Sequence, residues 1–151
     1  VATTFEKWDG AWTGEPGLGG SSSDLLDREP TPRWWDVTYL DLGEGQGPSG
    51  QGGMFVLAYS DNNAGGRWTT MVRTSEDGIV WSAPERVTPF EDEDEVVYLS
   101  LSSPPGMGSQ RHVQGDTVYL YRTRSAHPIP NRWVHAVVER VPLTFTGDYP
   151  D

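Results

Sequence analysis

Three strand-like segments occur twice in the chain, in the same order. Each segment is short, rich in β-branched and aromatic residues, and bounded by Gly, Pro, Asn or Asp, which is typical of β-strands. The matched pairs are 38–42 with 97–101, 54–59 with 117–122, and 67–72 with 132–137, at spacings of 59, 63 and 65 residues. This order predicts two units of three antiparallel strands each, with loop insertions that account for the drift in spacing.

A fourth strand is expected in each unit, but from different parts of the chain. Residues 75–87 follow the first unit as a turn, a Trp and an extended tail. The second unit has no such continuation, whereas residues 7–18 repeat the Asp-Gly, Trp, hydroxyl and Pro order. We therefore expect one all-β domain over 1–151, with 33–88 as the first unit, 95–145 as the second, and 5–18 as a strand that closes the second unit of this chain or of a neighbouring protomer.

Composition excludes several classes of protein. Gly and Pro account for 18 and 12 of 151 residues, which is too many for the long helices of an all-α bundle. Seventeen aromatic residues, the sum of 7 Trp, 6 Tyr and 4 Phe, argue against disorder. The absence of Cys rules out disulfides, thiol catalysis and Cys-ligated metals.

Charge and terminal sequence bear on partners and location. A net charge of −11 repels phosphate backbones, and the apolar stretches are too short to span a membrane, so neither nucleic acid nor membrane is an expected partner. The start VATTFEKWDG has no signal-peptide pattern and no Met, from which we expect a processed or truncated chain. One Lys against ten Arg is typical of a GC-rich bacterial genome, and we expect an acidic, secreted bacterial protein.

Residues 75–84 read Ser-x-Asp-Gly-x-x-Trp-Ser-x-Pro. This motif resembles the Asp-box of sialidases and related β-propellers, although it is one residue shorter than the commonest form and has Val80 where that form has Thr. The strand at 53–60 and the polar loop after it are also similar to a propeller blade. The resemblance covers 35–87, and more weakly 96–141, and implies two four-stranded antiparallel propeller-type blades.

The Asp-box of that family is a structural device that folds the hairpin between the outer strands of a blade. In this chain its residues are Ser75, Asp77, Gly78 and Trp81. We expect Ser75 and Asp77 to accept backbone N–H groups, Gly78 to take a positive φ, and Trp81 to pack between sheets.

Two blades do not make a ring, because propellers have about four to eight blades. The resemblance therefore implies either a cyclic homo-oligomer of two-bladed chains or the remainder of a larger propeller. Small lectins that build six-bladed propellers as trimers of two-bladed chains have a similar organisation. A β-sandwich would give similar strand spacing and stays open as the alternative fold.

Sugar-binding sites combine an aromatic ring face with carboxylate, amide or Arg groups. Residues 33–36 supply both kinds, and strand alternation sends Trp34 and Asp36 to one face and Trp35 to the other. The loops 61–68 and 125–133 each place an amide and an Arg-Trp pair between the second and third strands. The predicted ligand-binding residues are Arg33, Trp34, Asp36, Asn62, Asn63, Arg67, Trp68, Asn131, Arg132 and Trp133. The alternative is that the Trp residues form inter-sheet core and that the amides are turn residues.

Catalysis is the competing interpretation. Sialidases use an Arg triad, a Tyr–Glu pair and an Asp acid/base drawn from around the whole ring. Arg33 is placed like the first Arg of that triad, and Asp36 or Asp61 is a candidate acid, but two blades cannot supply the set. We therefore predict a carbohydrate-binding protein with no catalytic residue. A subunit or fragment of a sialidase-like glycoside hydrolase is the alternative, and a protein-interaction propeller the second.

No cofactor or metal is predicted. The acidic run 91–95 offers carboxylates that Ca²⁺ prefers, but it has no spaced-ligand pattern and is interpreted as a solvated linker. His112, His127 and His135 do not have the spacing of metal ligands. The Gly-rich stretch 43–53 is interpreted as a hairpin insertion, and 21–23 does not match a serine-hydrolase elbow.

Overall fold

The computed structural model describes residues 33–47, 49–62, 68–87, 94–126 and 136–146, and it contains only strands and turns within these ranges. The prediction of an all-β chain is thereby confirmed. The strands are β1 (Arg33–Asp41), β2 (Gly53–Asn62), β3 (Trp68–Ser75), β4 (Glu85–Arg86), β5 (Asp94–Ser102), β6 (Gly108–Ser109), β7 (His112–Gln114), β8 (Thr117–Ala126) and β9 (Val137–Thr144). The predicted closing strand at 5–18 lies outside the described residues.

Two sheets contain these strands. The first has the order β4-β3-β2-β1-β7-β6, and its first four strands pair antiparallel in chain order. The second has the order β5-β8-β9, also antiparallel. The Gly-rich stretch between β1 and β2 closes a hairpin through a bond from the Leu42 N–H to the Gly52 carbonyl, 2.8 Å long.

The hairpin of β6 and β7 was not predicted from the sequence. It leaves the second unit between β5 and β8 and pairs with the first sheet, where β7 runs parallel to β1 from Tyr39 to Asp41. The N–H of Tyr39 donates to the carbonyl of Arg111 at 3.1 Å, and the N–H of Gly115 donates to the carbonyl of Asp41 at 2.8 Å. Strands of two and three residues carry too little alternation to be visible in a sequence.

A β-bulge of one extra residue interrupts the first strand of each unit. Trp34 and Trp35 lie opposite Tyr59, and Tyr98 and Leu99 lie opposite Arg122. Trp34 has a φ of 44° and Tyr98 has a φ of 54°, values that non-glycine residues rarely adopt. The two bulges therefore occupy equivalent positions, and they align the units independently of sequence similarity.

This alignment corrects the repeat read from the sequence. Trp34 matches Tyr98 at a spacing of 64, Ala58 matches Tyr121 at 63, and Val72 matches Arg140 at 68. The predicted spacing of 63 for the middle strand is confirmed, whereas 59 and 65 for the others were wrong. These two predicted spacings differ from the observed ones by five and three residues. A shift of the alignment by an odd number of residues exchanges the two faces of a strand without changing its composition.

The bulges also define which faces correspond in the two sheets. The aromatic residue at positive φ is Trp34 in the first bulge and Tyr98 in the second. We call the side of each sheet that carries the residue two positions after this aromatic residue its leading face. The opposite side is the trailing face. The leading-face positions are Asp36, Ala58 and Val72 in the first sheet and, by equivalence, Ser100, Tyr121 and Arg140 in the second. The core lies between the leading face of the first sheet and the trailing face of the second.

The core joins apolar side chains from both sheets and from the hairpin. Its fully buried members are Leu40, Met54, Val56, Ala58, Leu101, Val113, Val118 and Leu120. Full burial of a Val, Leu or Met side chain contributes about 1.5–3 kcal/mol. Burial of this kind holds the two sheets together as one unit.

Asp36 supplies the main polar link across this core. Its Oδ2 accepts the N–H of Leu101 at 2.8 Å, and the hydroxyl of Ser100 lies at 3.4 Å. Its Oδ1 accepts the N–H of Val37 at 2.9 Å and the guanidinium of Arg111. One carboxylate on β1 therefore satisfies groups on β5 and on the turn between β6 and β7.

The turn at residues 75–80 has the predicted hydrogen bonds and the predicted positive φ. Asp77 Oδ1 accepts the N–H groups of Ile79 and Val80, both at 2.8 Å, and Ser75 Oγ accepts the N–H of Gly78 at 2.8 Å. Gly78 has a φ of 75°. Trp81 is half-buried, and its packing between sheets stays a prediction. The N–H groups of Val80 and Ile79 lower the pKa of Asp77 below its usual 3.8, so the stabilisation is present above that pH and is lost as the pH falls below it.

Removing the carboxylate of Asp36 should separate its structural role from its surface ion pair. We expect Asp36→Ala to lower the free energy of unfolding by about 3 kcal/mol, because the buried Leu101 N–H loses its acceptor. Arg111→Ala should cost only about 0.5 kcal/mol, since the Arg111 side chain is 66% exposed. Urea denaturation of both variants measures the difference. Equal losses would mean that Asp36 contributes only a surface ion pair.

Gly78 is a second test, of the turn alone. Gly78→Ala should destabilise the protein by about 1–2 kcal/mol, because alanine is disfavoured at positive φ. Steric clash is not the cause, since an added Cβ would lie 3.6 Å from the Phe55 ring. Gly78→Asn is the control and should lose less, because Asn tolerates this conformation. If thermal unfolding showed the two variants to be equal, the positive φ would not be the constraint.

Candidate functional site

Three aromatic rings meet where the two bulges approach each other. The ring of Trp34 lies 5.0 Å from that of Trp68 at an interplanar angle of 77°, and 5.4 Å from that of Tyr98 at 62°. We call these three residues the aromatic bulge cluster. Edge-to-face contacts of this kind are favourable and fix the rings relative to one another.

Backbone strain positions two of these rings. A non-glycine residue held at positive φ costs of the order of 1–3 kcal/mol, and it persists only where the surroundings enforce it. Here the bulges enforce it at Trp34 and at Tyr98. The side chain of Tyr98 remains 59% exposed and that of Trp35, the second bulge residue, 64% exposed. Holding these aromatic groups at the surface therefore lowers the stability of the folded protein.

Polar groups on β5 and on the turn between β6 and β7 contact Asp36 and Ser100. Gln110 donates from Nε2 to the Ser100 hydroxyl at 3.2 Å, and both residues are at least partly exposed. Arg111 uses Nη1 for both Asp36 and the carbonyl of Val37, which leaves its other N–H donors directed to solvent. Ser100, Gln110 and Arg111 thus provide donors and acceptors that are bonded to one another or to Asp36, two residues after Trp34.

A buried hydroxyl lies below Trp68 on the leading face. Thr70 is two residues along β3 from Trp68 and opposite Ser60, and it is completely buried. Its Oγ1 has no hydrogen-bond partner within the described part of the chain. Buried hydroxyls are usually satisfied, and a bound water would satisfy this one.

The predicted ligand-binding residues separate into three groups. Trp34 and Trp68 are brought together in the cluster, and Asp36 lies beside it with its carboxylate engaged by protein donors. Arg33 begins β1 opposite Ser60, and Asn62 ends β2 opposite Trp68, so the backbone of both is at this end of the sheet. The remaining predicted residues, which lie outside the described ranges, are Asn63, Arg67, Asn131, Arg132 and Trp133.

Sequence reasoning missed the rest of the site. Tyr98 was matched to Tyr39, and only the bulge shows that it corresponds to Trp34. Gln110 and Arg111 belong to the crossing hairpin, and nothing in their local sequence indicates contact with β1. Strand alternation also does not apply across a bulge, because two residues face one partner there.

The other polar groups in the described part of the chain do not assemble into a metal site. Among the described residues, no group of three or more His, Asp or Glu side chains lies close enough to hold an ion. His112 Nε2 lies 3.1 Å from Asp41 Oδ2, and this bond, with the N–H of Gly43, lowers the pKa of Asp41. Of the acidic run, only Asp94 and Glu95 are described, as the first residues of β5.

Described residues also line cavities that lie away from the cluster. One of about 510 Å³, at the far end of the sheets, is lined by Leu42, Gln46, Gly47, Gly115, Asp116, Phe145 and Thr146. Another of about 280 Å³ lies at the Asp-box, next to Ser75, Asp77 and Val80. Within the described ranges, no helix has the length and apolar character needed to cross a membrane.

Comparison with known proteins identifies no relative. The chain matches no protein-family model, and neither the curated proteins nor the solved structures gave a match.

Tyr98 tests whether the bulge is strained. In a strand, Gly is normally less stable than Ala by about 0.5–1 kcal/mol. At Tyr98 we expect the opposite order, with Tyr98→Gly more stable than Tyr98→Ala by about 0.5–1 kcal/mol, because only Ala carries the Cβ penalty at positive φ.

Exposed Val138, in the middle of β9, supplies the matched control for this comparison. Val138→Gly should be less stable than Val138→Ala. Chemical denaturation of the four variants measures both differences. The same order at both positions would show that Tyr98 is not strained.

Proposed function

We propose that the protein binds carbohydrate at the aromatic bulge cluster, without covalent chemistry. The observation that carries the proposal is the set of three clustered rings, of which Trp34 and Tyr98 lie at the two bulges and Tyr98 is exposed. Sugar rings place their C–H faces on aromatic rings and direct their hydroxyls to polar groups at the margin. Ser100, Gln110 and Arg111 supply polar groups around Asp36, two residues after Trp34.

The geometry favours one sugar residue rather than a long chain. Trp34 and Trp68 are nearly perpendicular, so their faces form a corner and not a continuous flat strip. A corner of this kind suits a single ring or a chain end. The unpartnered hydroxyl of Thr70, two residues from Trp68, is completely buried, so a bound water and not the ligand itself would satisfy it.

The environment of Asp36 favours binding over hydrolysis. Glycoside hydrolysis commonly uses a pair of carboxyl groups on either side of the scissile bond. The Asp36 carboxylate accepts two backbone N–H groups, a hydroxyl and a guanidinium, so its lone pairs are already occupied. A group fixed in this way positions the site and does not transfer protons.

We also propose that the two sheets are propeller-type blades. The support is that both are antiparallel meanders with equivalent bulges in the first strand, and that the leading face of one packs on the trailing face of the next. Residues 5–18 would then close the second blade beside β9, as β4 closes the first beside β3. In this arrangement the protein is a cyclic homo-oligomer or part of a larger propeller, and we propose that it is secreted.

A glycan array followed by titration calorimetry tests the binding function. Trp34→Ala and Trp68→Ala should each weaken binding of the selected sugar at least tenfold, which corresponds to about 1.4 kcal/mol and is within the value of one buried ring face. Val80→Ala, at an exposed position near the Asp-box, is the control and should bind normally.

The outcomes separate the candidate functions. Absence of binding to every glycan at millimolar sensitivity, or normal binding by both Trp variants, would refute the proposal. Turnover of fluorogenic glycosides by the intact protein would instead support a glycoside hydrolase.

A further inference from the structure

Asp77 and Gly78 form an Asp-Gly pair, the dipeptide in which an aspartate rearranges most readily. The sequence contains this pair at 9–10 and at 77–78, and the second lies within the described residues, in the turn at 75–80. Glycine favours the rearrangement because it has no side chain to keep its nitrogen away from the preceding carboxyl group. Asp77 is exposed, so water reaches it and burial does not protect it.

The rearrangement needs only water and the chain itself. The backbone nitrogen of Gly78 forms a bond to Cγ of Asp77, the nitrogen loses its proton, and one carboxyl oxygen leaves as water. Water then adds to one of the two carbonyls of the resulting succinimide and breaks its bond to the nitrogen. Opening at the side-chain carbonyl restores aspartate, whereas opening at the main-chain carbonyl gives isoaspartate, in which the backbone runs through the former side chain. No oxidant or reductant takes part.

Hydrogen bonds of the turn hold both reacting groups away from this reaction. The N–H of Gly78 donates to Ser75 Oγ at 2.8 Å, which directs the attacking nitrogen to Ser75. The Oδ1 atom of Asp77 accepts the N–H groups of Ile79 and Val80 at 2.8 Å, and the Ser75 hydroxyl donates to the same oxygen at 3.1 Å. These bonds must break before the nitrogen attacks Cγ, and the Ser75 hydroxyl takes part on both sides.

Charge and loop closure act in the same direction. A carboxyl oxygen leaves as water only from the protonated acid, and the N–H groups of Val80 and Ile79 lower the pKa of Asp77, so less of the acid is present at neutral pH. The ends of the turn are also joined. The N–H of Ser82 donates to the carbonyl of Thr74 at 2.8 Å, and the N–H of Thr74 donates to Ser82 Oγ at 3.0 Å.

We propose that Asp77 is a modification site that the hydrogen bonds of the turn protect while it is closed, and that it converts to isoaspartate when the turn opens. Isoaspartate has one more methylene in the backbone and one fewer in the side chain. Its carboxylate therefore no longer lies where the N–H groups of Ile79 and Val80 converge, and the turn does not close again. Sugar binding and the blade arrangement play no part in this reaction.

Peptide mapping of the intact protein after incubation at neutral pH tests the proposal. Trypsin cuts after Lys7 and Arg28 and after Arg73 and Arg86, so each Asp-Gly pair lies in its own peptide. Chromatographic retention and electron-transfer fragmentation identify isoaspartate, and loss of one water mass identifies the succinimide. In the folded protein the peptide 74–86 should keep aspartate, whereas in concentrated urea isoaspartate should accumulate at both pairs.

Ser75→Ala tests the turn within the folded protein. It removes the hydroxyl that bonds to both reacting groups, so isoaspartate at residue 77 should form about tenfold faster, which corresponds to about 1.4 kcal/mol and is of the order of one hydrogen bond. Ser75→Thr is the matched control, because it keeps the hydroxyl, and it should stay close to the unaltered rate. Circular dichroism establishes that both variants are folded.

Three results would overturn the proposal. The first is isoaspartate in the peptide 74–86 at the same rate in the folded protein as in urea. The second is a folded Ser75→Ala protein that isomerises no faster than the unaltered one. The third is a Ser75→Thr protein that isomerises as fast as Ser75→Ala. Should Ser75→Ala fail to fold, the comparison of folded and urea-treated unaltered protein decides, because it needs no substitution.

Discussion

The carboxylate of Asp36 is the interaction on which the relation of the two sheets depends. It lies on β1 of the first sheet, yet it accepts a hydrogen bond from a backbone N–H of the second. A buried carboxylate is tolerated only where it is fully hydrogen-bonded, and here two strands and the crossing hairpin supply the donors. The bulges lie two residues earlier on each strand, so the same contact fixes the distance between Trp34 and Tyr98.

A buried ion pair accompanies this link in the second sheet. Arg122 lies opposite the second bulge, and its side chain is only 1% exposed. Its Nε donates to Glu139, which also accepts from Arg124 at 3.2 Å. The equivalent position in the first sheet is Tyr59, whose hydroxyl accepts from Arg73. The residue opposite each bulge therefore makes a different polar contact, an Arg–Glu ion pair in the second sheet and a Tyr–Arg hydrogen bond in the first. Because these residues differ, the equivalence of the two units is hard to detect by comparing sequences.

Much of the fold was predictable because it depends on local composition. The antiparallel order of β1, β2 and β3 and the Asp-box turn follow from strand-forming residues, Gly78 and two short side chains that accept N–H groups. The register was less predictable, because short apolar segments match one another equally well when shifted. Tyr98, Gln110 and Arg111 were missed because their placement depends on a bulge and on a hairpin that joins a distant strand, and neither leaves a periodic pattern.

The crossing hairpin has a consequence for how the chain folds. β7 pairs with β1 about seventy residues earlier in the sequence, after the whole of β5 has intervened. The side of β1 that pairs with β7 therefore has no partner until the second unit has begun to form. Contacts of such long sequence separation slow folding, since loop-closure entropy is lost before the contact is gained. During synthesis on the ribosome, the first half of the protein would thus emerge with an open strand edge, and its completion is tied to the arrival of the second half.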